Sequence, residues 1–387
     1  MYVCVVSRGY PSDEYKMNGI FEYDQAKALA RAGMKVVMAV VDLRSFRRKR
    51  KWGLEHFTQD GVEIYAMNVP VGRCPSGLLH WFGVRALRRL AKIIEKEQGR
   101  PDILHSHFTD ISWITVDWAQ RKRIPLIVTE HNSKMNEAVV KPAVLKAAQQ
   151  AYACADRVIA VGSGLAANIR RLTGVEAVVI GNVVDTKLFA KKRSTGYTSS
   201  DFRLISAGNL LPGKRMCFLL EAFSCFHQHY PDSFLTICGD GPLRAQLSQY
   251  IAEHGLEGCV VLKGLCTREQ MAAVYQESAA FVLPSRRETF GVVYIEAIAA
   301  GLPVIATRCL GPEDFVTPEN GLLIPVDDKV ALVNAMEYMY AHAASYDRRK
   351  ISDDIIRRFS PETIAGQLES LYQTVRNEKA EEGEGPH

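Results

Sequence analysis

The segment PSRRETFGVVYIEAIAAGLPVIAT, residues 284–307, predicts a loop, a helix and a strand of an α/β fold. The apolar run FVL before it ends at Pro284, which predicts a buried strand leading into the loop. VVYIEAIAA has helical spacing and stops at Gly301, a residue favoured just after helix ends, before the strand PVIAT. Strands that alternate with helices in this way indicate a parallel sheet.

Two carboxylates lie eight residues apart in this segment, with a glycine between them. Glu288 is expected on the loop and Glu296 inside the helix, so the free N–H groups of the helix N-terminus near Gly291 lie between them. Such N–H groups bind phosphate, and carboxylates accept hydrogen bonds from ribose or sugar hydroxyls. The pattern indicates a site for a phosphate linked to sugars, although the helix dipole alone also favours glutamates near a helix start.

The alternation of β-rich runs and helical stretches restarts once along the chain. YVCVVS, KVVMAVV, DILHSH, PLIVTE and RVIAVG belong to the first series, and RLISAGN, FLTICGDG, VVLKG, AFVLPS and PVIAT to the second. We therefore predict two doubly wound, Rossmann-like α/β domains, residues 1–183 and 203–360. Residues 184–202 are predicted to be a linker, 361–377 a C-terminal helix that packs back on the first domain, and 378–387 a disordered tail.

Polar residues and glycines follow several predicted strands. Ligands of such sheets bind at the carboxyl ends of the strands, and in a two-domain protein the cleft between the domains is the expected site. Asn209, Gly241 and Glu288 follow strands of the second domain, and His107 and His131 follow strands of the first. Five signals of this kind are stronger evidence than one.

The composition is typical of a globular cytoplasmic protein. The chain has 387 residues, of which 47% are apolar and 24% charged. No stretch approaches the roughly 18 apolar residues that span a bilayer, and MYVCVVS predicts a strand rather than a signal peptide. The nine cysteines include no C-x-x-C pair, which favours reduced thiols.

Positive charge is concentrated in the first domain. Residues 1–183 carry 27 Lys/Arg against 17 Asp/Glu, and most of this excess lies in residues 44–52 and 78–96. The second stretch predicts a basic amphipathic helix that begins near Trp81 and Phe82, a pattern that fits an anionic membrane surface. The protein would then lie on the inner face of the plasma membrane, although a merely solvated helix explains the pattern equally well. No nucleic-acid motif accompanies the charge, so nucleic acid is not an expected partner.

The residues around the two glutamates closely resemble the E-x7-E signature of glycosyltransferase family 4, the retaining group 1 enzymes of GT-B fold. GDGPLRAQL and CLGPEDFVTPENGLLI match this family as well, and the resemblance covers most of residues 1–375, more densely in the second domain. The N-terminal segment SRGYPSDEYKMNGIFEYDQAKAL resembles that of family members that build extracellular polysaccharides such as teichuronic acid or capsule.

The resemblance implies that the second domain binds a nucleotide diphosphate sugar. Glu296 would bind the ribose diol, Lys214 the diphosphate, and Glu288 the sugar hydroxyls. Asn209 stands where the family normally has Arg, so more of the diphosphate charge would fall on Lys214, Arg215 or Arg286. The implied donor-binding residues are Asn209, Lys214, Arg215, Gly241, Leu265, Glu288, Phe290, Gly291, Val292 and Glu296.

The first domain is implied to provide the acceptor groove. Asn18 and Gly19 would form an acceptor or phosphate loop at a helix start, although turn geometry explains a lone glycine equally well. His131 would lie beside the donor sugar, so the implied catalytic residues are Glu288, His131 and Lys214. His105 and His107 suggest metal ligation, but no third ligand is near in sequence, and we expect neither a metal nor another cofactor.

The implied reaction is transfer of the sugar, with retention of configuration, to a glycan or polyprenyl-linked acceptor in cell-surface polysaccharide biosynthesis. Two alternatives stay open. A nucleotide-sugar epimerase or hydrolase shares this architecture, and a non-catalytic sugar-nucleotide-binding protein would be compatible with the Asn209 substitution.

Overall fold

A computed structural model describes residues 1–44, 49–71, 74–137, 139–190 and 201–383. The chain divides into two compact units, each with its own parallel sheet. The first unit comprises Met1–Val183 together with Pro361–His387, and the second comprises Val184–Ser360.

The first unit is built on an eight-stranded sheet in the order β3-β4-β2-β1-β5-β6-β7-β8, parallel except for the β3–β4 pair. Its strands are β1 (Tyr2–Ser7), β2 (Lys35–Arg44), β3 (Gly53–Gln59), β4 (Val62–Pro70), β5 (Ile103–His107), β6 (Leu126–Glu130), β7 (Arg157–Ala160) and β8 (Ala177–Val179). Its helices are α1 (Ile20–Arg31), α2 (Ser76–Gln98), α3 (Thr109–Lys122), α4 (Pro142–Ala153), α5 (Ser163–Thr173) and the C-terminal α13 (Pro361–Gly383).

The burial of these strands explains their sequence. Every residue of β1 and β6 is buried, as expected for strands covered on both faces by helices. The β3–β4 hairpin is an addition that simple α/β alternation does not predict. It turns at Asp60-Gly61, where both residues have positive φ, the backbone that two-residue hairpin turns require.

The C-terminal helix differs from the prediction. Helix α13 continues through Gly383, so residues 378–383 of the predicted disordered tail are helical, and 384–387 lie outside the described residues. Glu378 forms an ion pair with Arg157, and Lys379 forms one with Asp156 at 2.9 Å. These contacts with the first unit extend the helix beyond the point where its own composition becomes acidic and polar.

The second unit has a six-stranded parallel sheet in the order β11-β10-β9-β12-β13-β14. Its strands are β9 (Phe202–Ala207), β10 (Ser233–Cys238), β11 (Val260–Gly264), β12 (Ala280–Leu283), β13 (Val304–Thr307) and β14 (Gly321–Ile324). Its helices are α6 (Thr186–Ala190), α7 (Met216–His229), α8 (Arg244–Glu253), α9 (Arg268–Gln276), α10 (Val292–Ala299), α11 (Lys329–His342) and α12 (Arg348–Phe359).

The predicted linker, residues 184–202, includes a short helix and the first residue of a strand. Its first residues form α6, which belongs to the second unit, and Phe202 already lies in β9. Phe189 is fully buried and its ring lies edge-on to that of Tyr275, with centroids 5.8 Å apart. Because this aromatic side chain is buried, α6 packs against the second unit and is not a free linker. Residues 191–200 lie outside the described residues.

Candidate functional site

The predicted donor residues lie at the carboxyl-terminal end of the strands of the second sheet. Strands β11, β10, β9 and β12 are consecutive neighbours, and all are parallel. The loops that leave their carboxyl ends carry Leu265, Gly241, Asn209 and Glu288 respectively. The parallel topology therefore brings to one sheet edge residues that are up to 79 positions apart in the sequence.

Two of these loops are packed backbone to backbone. Leu210 donates its N–H to the carbonyl of Asp240 at 3.0 Å and accepts from the N–H of Leu243 at 3.2 Å. A Cβ atom on Gly241 would lie 2.8 Å from the Leu210 carbonyl oxygen. Gly241 thus has a structural reason to be glycine, because it lets the loops after β9 and β10 approach closely. Asn209 is exposed next to this contact.

Glu288 is a buried carboxylate held by three parts of the second unit. Its Oε1 accepts hydrogen bonds from Lys214 Nζ at 2.5 Å and from Ser285 Oγ at 2.7 Å. Its backbone N–H donates to Cys309 at 3.1 Å, and its carbonyl accepts from Gly311 at 3.1 Å. Sequence reasoning predicted Glu288 and Lys214 but not their mutual contact, and it missed Ser285, which lies only three residues before Glu288.

The loop that supports Glu288 carries backbone strain. Leu310 has a φ of 83°, a conformation that costs a non-glycine residue on the order of 1–3 kcal/mol. Leu310 forms an isolated parallel bridge with Glu288, and the surrounding CLGPEDF loop supplies both backbone hydrogen bonds. The strained loop thus fixes the position of the carboxylate before any ligand arrives.

The other predicted phosphate ligands are paired with a carboxylate that the sequence did not reveal. Arg215 and Arg286 each contact Asp327 at 2.7 Å, one on each carboxylate oxygen. The Arg286 contact is a hydrogen bond, whereas the Arg215 contact is an ion pair without linear geometry. Asp327 lies some 40 residues beyond Arg286 in sequence, so only the folded chain shows that it partly neutralises both guanidinium groups.

Helix α10 begins at the glycine between the two glutamates, as predicted. Gly291 is its N-cap with a φ of 97°, and Val292 is its first residue. Phe290 is buried, and its ring packs edge-on against Phe315 and Phe359. Its side chain therefore belongs to the core of the second unit. The predicted donor residue Leu265 is 71% exposed.

Glu296 is nine-tenths buried within α10. Burial first, and then the charge and hydrogen bond of the Glu296 carboxylate, raise the pKa of Tyr275 well above its ordinary value. Tyr275 also donates to the Val293 carbonyl at 3.2 Å. This tyrosine on α9 is a neighbour of the site that no motif in the sequence indicated.

The predicted acceptor loop of the first unit lines a cavity of about 470 Å³ at the carboxyl end of its sheet. Asn18 and Gly19 are part of the lining, together with Arg8, Trp113 and Lys134. Gly19 has a φ of 65° and caps α1, and a Cβ there would lie 2.1 Å from the carbonyl oxygen of Gly9. The structure therefore supports both interpretations of Gly19: turn geometry requires it, and it borders a cavity.

His131 lies in a row of three buried imidazoles. His131 Nε2 is 2.9 Å from His107 Nδ1, and the rings of His107 and His105 stack with centroids 4.6 Å apart. Burial lowers the pKa of His107 to about 3 and the pKa of the other two well below 6.5. The HSH motif thus contributes neutral rings to a hydrogen-bonded chain. Among the described residues no group of three His, Cys, Asp or Glu is arranged to hold a metal ion.

Glu130, directly before His131, is a buried carboxylate that the sequence reasoning missed. It accepts hydrogen bonds from the backbone N–H of His131 at 2.9 Å and of Asn132 at 2.8 Å, and from the Tyr152 hydroxyl at 2.6 Å. Burial raises the pKa of Glu130, whereas the hydrogen bonds that it accepts from Thr109 and Tyr152 lower that pKa. The carboxylate fixes the loop that carries His131.

Two arginines of the basic stretch at residues 44–52 are paired with a buried carboxylate. Arg44 contacts the buried Asp42 at 2.9 Å, and Arg50 pairs with the same carboxylate. Residues 45–48 lie outside the described residues. On α2, by contrast, Trp81 is 51% exposed and lies under the guanidinium of Arg85, 4.9 Å from its ring centre. No helix in the described ranges is both long and apolar enough to cross a bilayer.

Comparison with known proteins identifies the family of both units. The model of the family "Glycosyl transferases group 1" matches residues 189–353, which include the Glu288–Lys214 contact and α10. The model "Glycosyl transferase 4-like domain" matches residues 22–182. This chain belongs to the group 1 glycosyltransferases. The glycosyltransferase is 25% identical to the protein named as teichuronic acid biosynthesis glycosyltransferase TuaC of Bacillus subtilis (strain 168), over 97% of this chain and 99% of that protein.

Solved structures establish the GT-B fold of the glycosyltransferase. Sucrose-phosphate synthase from Thermosynechococcus elongatus superimposes with a TM-score of 0.80 at 22% identity, over 97% of this chain and 98% of that one. The Anabaena protein HepE, in complex with UDP and glucose, superimposes with a TM-score of 0.72 at 19% identity, over 97% of this chain and 100% of that one.

Proposed function

We propose that this glycosyltransferase transfers a sugar from a nucleotide diphosphate sugar to a glycan or polyprenyl-linked acceptor, with retention of the anomeric configuration, in cell-surface polysaccharide biosynthesis. One observation supports the donor site above all others. Lys214, on the loop after β9, contacts Glu288, which lies with Ser285 on the loop that leads, three residues later, into the glycine cap of α10. The two loops thus bring a cation, a sugar-binding carboxylate and free helix N–H groups together.

Within this proposal the donor is bound through its three chemical parts. Glu296 accepts hydrogen bonds from the ribose diol, and N–H groups near Gly291 and Val292 bind phosphate or sugar. Lys214 neutralises the diphosphate, and Asn209 donates hydrogen bonds to it. Because Lys214 already contacts Glu288 at 2.5 Å, the same ammonium group can connect the leaving phosphate to the carboxylate that orients the sugar. The UDP held by HepE supports a diphosphate donor.

The acceptor is proposed to bind in the first unit, at the cavity lined by Asn18 and Gly19. Its wall combines the aromatic ring of Trp113 with the cations Arg8 and Lys134. A sugar linked to a polyprenyl diphosphate matches such a mixture, because its sugar stacks on aromatic rings and its phosphates attract cations. The resemblance to TuaC supports a polysaccharide-related acceptor.

The proposed reaction is a front-face substitution that needs no metal ion. The leaving phosphate oxygen accepts the proton of the acceptor hydroxyl while the bond between sugar and phosphate breaks and the new glycosidic bond forms. Lys214 and the N-terminus of α10 stabilise the negative charge that develops on the phosphate. A double displacement of the glycosidase type needs a second carboxylate about 5–5.5 Å from the first, and here the second glutamate is assigned to the ribose.

A peripheral membrane contact is part of the proposal, with α2 as the contact element. Leu78 and Trp81 are half exposed on its first turns. A groove of about 770 Å³ beside it is lined by cations from α2 and α3, and of these Arg88 and Lys122 are paired with Asp117 and Glu95. The lining cations are Arg85, Arg88, Arg89, Lys92, Arg121 and Lys122. This chemistry fits an anionic bilayer surface.

A thermal-shift screen of nucleotide sugars tests the donor class first. UDP, UDP-glucose, UDP-N-acetylglucosamine, ADP-glucose and GDP-mannose would be added to the full chain, since a ligand at 100 times its Kd stabilises by about 2.7 kcal/mol. We expect stabilisation by one nucleotide series, followed by turnover when acceptors are supplied. Conversion without acceptor would favour an epimerase or hydrolase. Binding without turnover across a broad panel would favour a non-catalytic protein.

A further inference from the structure

The three buried imidazoles of the first unit form a hydrogen-bonded chain in which each donor and acceptor role can be assigned. Gln25, on α1, lies between two of the histidines, and the third histidine is the one assigned to the sugar. We propose that Gln25 and His107 hold His131 in the tautomer that carries its proton on Nδ1, so that His131 meets the substrate as a neutral hydrogen-bond donor. The role toward substrate rests on the proposed function, whereas the tautomer does not.

The first donor of this chain is the Gln25 carboxamide. Its Nε2 lies 3.0 Å from His105 Nδ1 and 3.4 Å from His107 Nε2. A carboxamide nitrogen carries two hydrogens and cannot accept, so with the Gln25 carboxamide in this orientation both ring atoms are unprotonated acceptors. A neutral imidazole has one protonated and one bare nitrogen. Because burial keeps His107 neutral, its proton lies on Nδ1.

His107 is the next donor of this chain. The protonated Nδ1 of His107 lies 2.9 Å from Nε2 of His131, which must therefore accept the hydrogen bond. The proton of His131 is left on Nδ1. The chain of donors thus runs from Gln25 through His107 to His131, and each member fixes the tautomer of the next.

The Nδ1 atom of His131 is the open end of this chain. It is buried, and among the described residues it has no hydrogen-bond partner of good geometry. A side-chain hydrogen bond with Asn182 raises the pKa of His131, against the larger lowering by burial, but its geometry does not satisfy the Nδ1 atom. A buried N–H without an acceptor destabilises the folded chain, which indicates that a ligand oxygen completes it. A sugar hydroxyl is the ligand group that fits the proposed reaction.

The opposite end of the chain is anchored to two other elements. His105 Nε2 is 2.6 Å from the Thr129 hydroxyl on β6, and its Nδ1 is 2.6 Å from the Tyr372 hydroxyl on α13. These contacts hold the His105 ring. Tyr372 contacts neither His107 nor His131 by hydrogen bond in the described residues, so its hydroxyl offers a matched control.

Long-range ¹H–¹⁵N NMR of the ligand-free full chain tests the tautomer directly. We expect protonated Nδ1 and bare Nε2 for both His107 and His131, with the His131 signals assigned by a His131→Gln spectrum. Protonated Nε2 on His131 would overturn the proposal whether or not the protein is a transferase. The Nδ1 tautomer in a protein without sugar transfer would instead contradict the proposed function alone.

Two substitutions at His107 test the consequence for turnover. Asparagine can place its side-chain N–H where His107 Nδ1–H lies, whereas leucine cannot donate at all. We expect His107→Leu to lower kcat about tenfold or more with little change in donor KM, and His107→Asn to recover most of that loss. Tyr372→Phe should leave both the His131 tautomer and kcat close to wild type. Equal losses in the Asn and Leu variants, or a Tyr372→Phe loss as large as that of His107→Leu, would overturn the proposal.

Discussion

Replacing Lys214 with alanine should remove both a catalytic charge and the partner of a buried carboxylate. Lys214 is 25% exposed, and its Nζ lies 2.5 Å from Glu288, which is 9% exposed. Within the proposed mechanism the ammonium group stabilises the leaving diphosphate, and loss of one such preorganised group typically lowers kcat by about 10²–10³. We therefore expect Lys214→Ala to be nearly inactive.

The same substitution should also lower stability by a smaller amount. Glu288 would keep its hydrogen bond from Ser285 but lose the charged one, which is worth about 1.5–3 kcal/mol when a group is ionised. A change of 1 kcal/mol moves the Tm of a domain of this size by about 2–4 °C, so the melting of the second unit should shift by several degrees. The unit should still fold, because the contact lies at its sheet edge rather than in its core.

The double variant Lys214→Ala/Glu288→Gln separates the two effects. A neutral glutamine leaves no unpaired buried charge, so we expect it to recover part of the lost Tm while activity stays absent. The measurements are Tm by calorimetry and kcat with a saturating donor identified in the thermal-shift screen. Recovery of activity in the double variant, or kcat within threefold of wild type in Lys214→Ala, would refute the assigned role of this cation.

Three further predictions concern other parts of the chain. Glu296→Ala should raise the donor KM tenfold or more with a smaller change in kcat, because a charge-assisted hydrogen bond to the ribose contributes about 1.5–3 kcal/mol; an unchanged KM with a collapsed kcat would exclude that role. Flotation with anionic liposomes should weaken when Arg85, Arg89 and Lys92 are neutralised and when salt is raised, whereas neutralising the paired Arg50 should have less effect; indifference to lipid charge would exclude the contact. The pKa of His107 falls to about 3 on folding, so the unfolded chain binds more protons below pH 6.5 and the free energy of unfolding should decrease as the pH falls. Between pH 7 and pH 5 the His107→Asn variant should lose about 2 kcal/mol less of this free energy than the wild type, measured by denaturant unfolding.

The sequence alone was sufficient to predict the elements with local signals. Gly291 and Gly301 mark the ends of α10 within two residues, and the strand-end positions of Asn209, Gly241 and Glu288 follow from alternation of strands and helices. These features depend on neighbours in sequence, so a pattern of apolar residues and glycines is enough to reveal them.

The contacts between distant segments could not be predicted in this way. Asp327 contacts Arg215 across 112 residues of chain and Arg286 across 41, and Tyr372 contacts His105 across 267. The helical end of α13 likewise depends on its ion pairs with Arg157 and Asp156. Each of these contacts forms between side chains that only the tertiary fold brings together. A local sequence pattern therefore cannot identify the contact partner.

The stereochemistry of the fresh product is the most direct test of the proposed mechanism. ¹H NMR of the anomeric proton would be recorded during the first turnovers with the identified donor and acceptor, in buffer with and without EDTA. Front-face transfer at a site that relies on Lys214 and the N-terminus of α10 predicts the donor's own anomeric configuration and undiminished activity in EDTA. An inverted anomeric centre, or activity abolished by EDTA and restored by magnesium, would contradict the proposed mechanism.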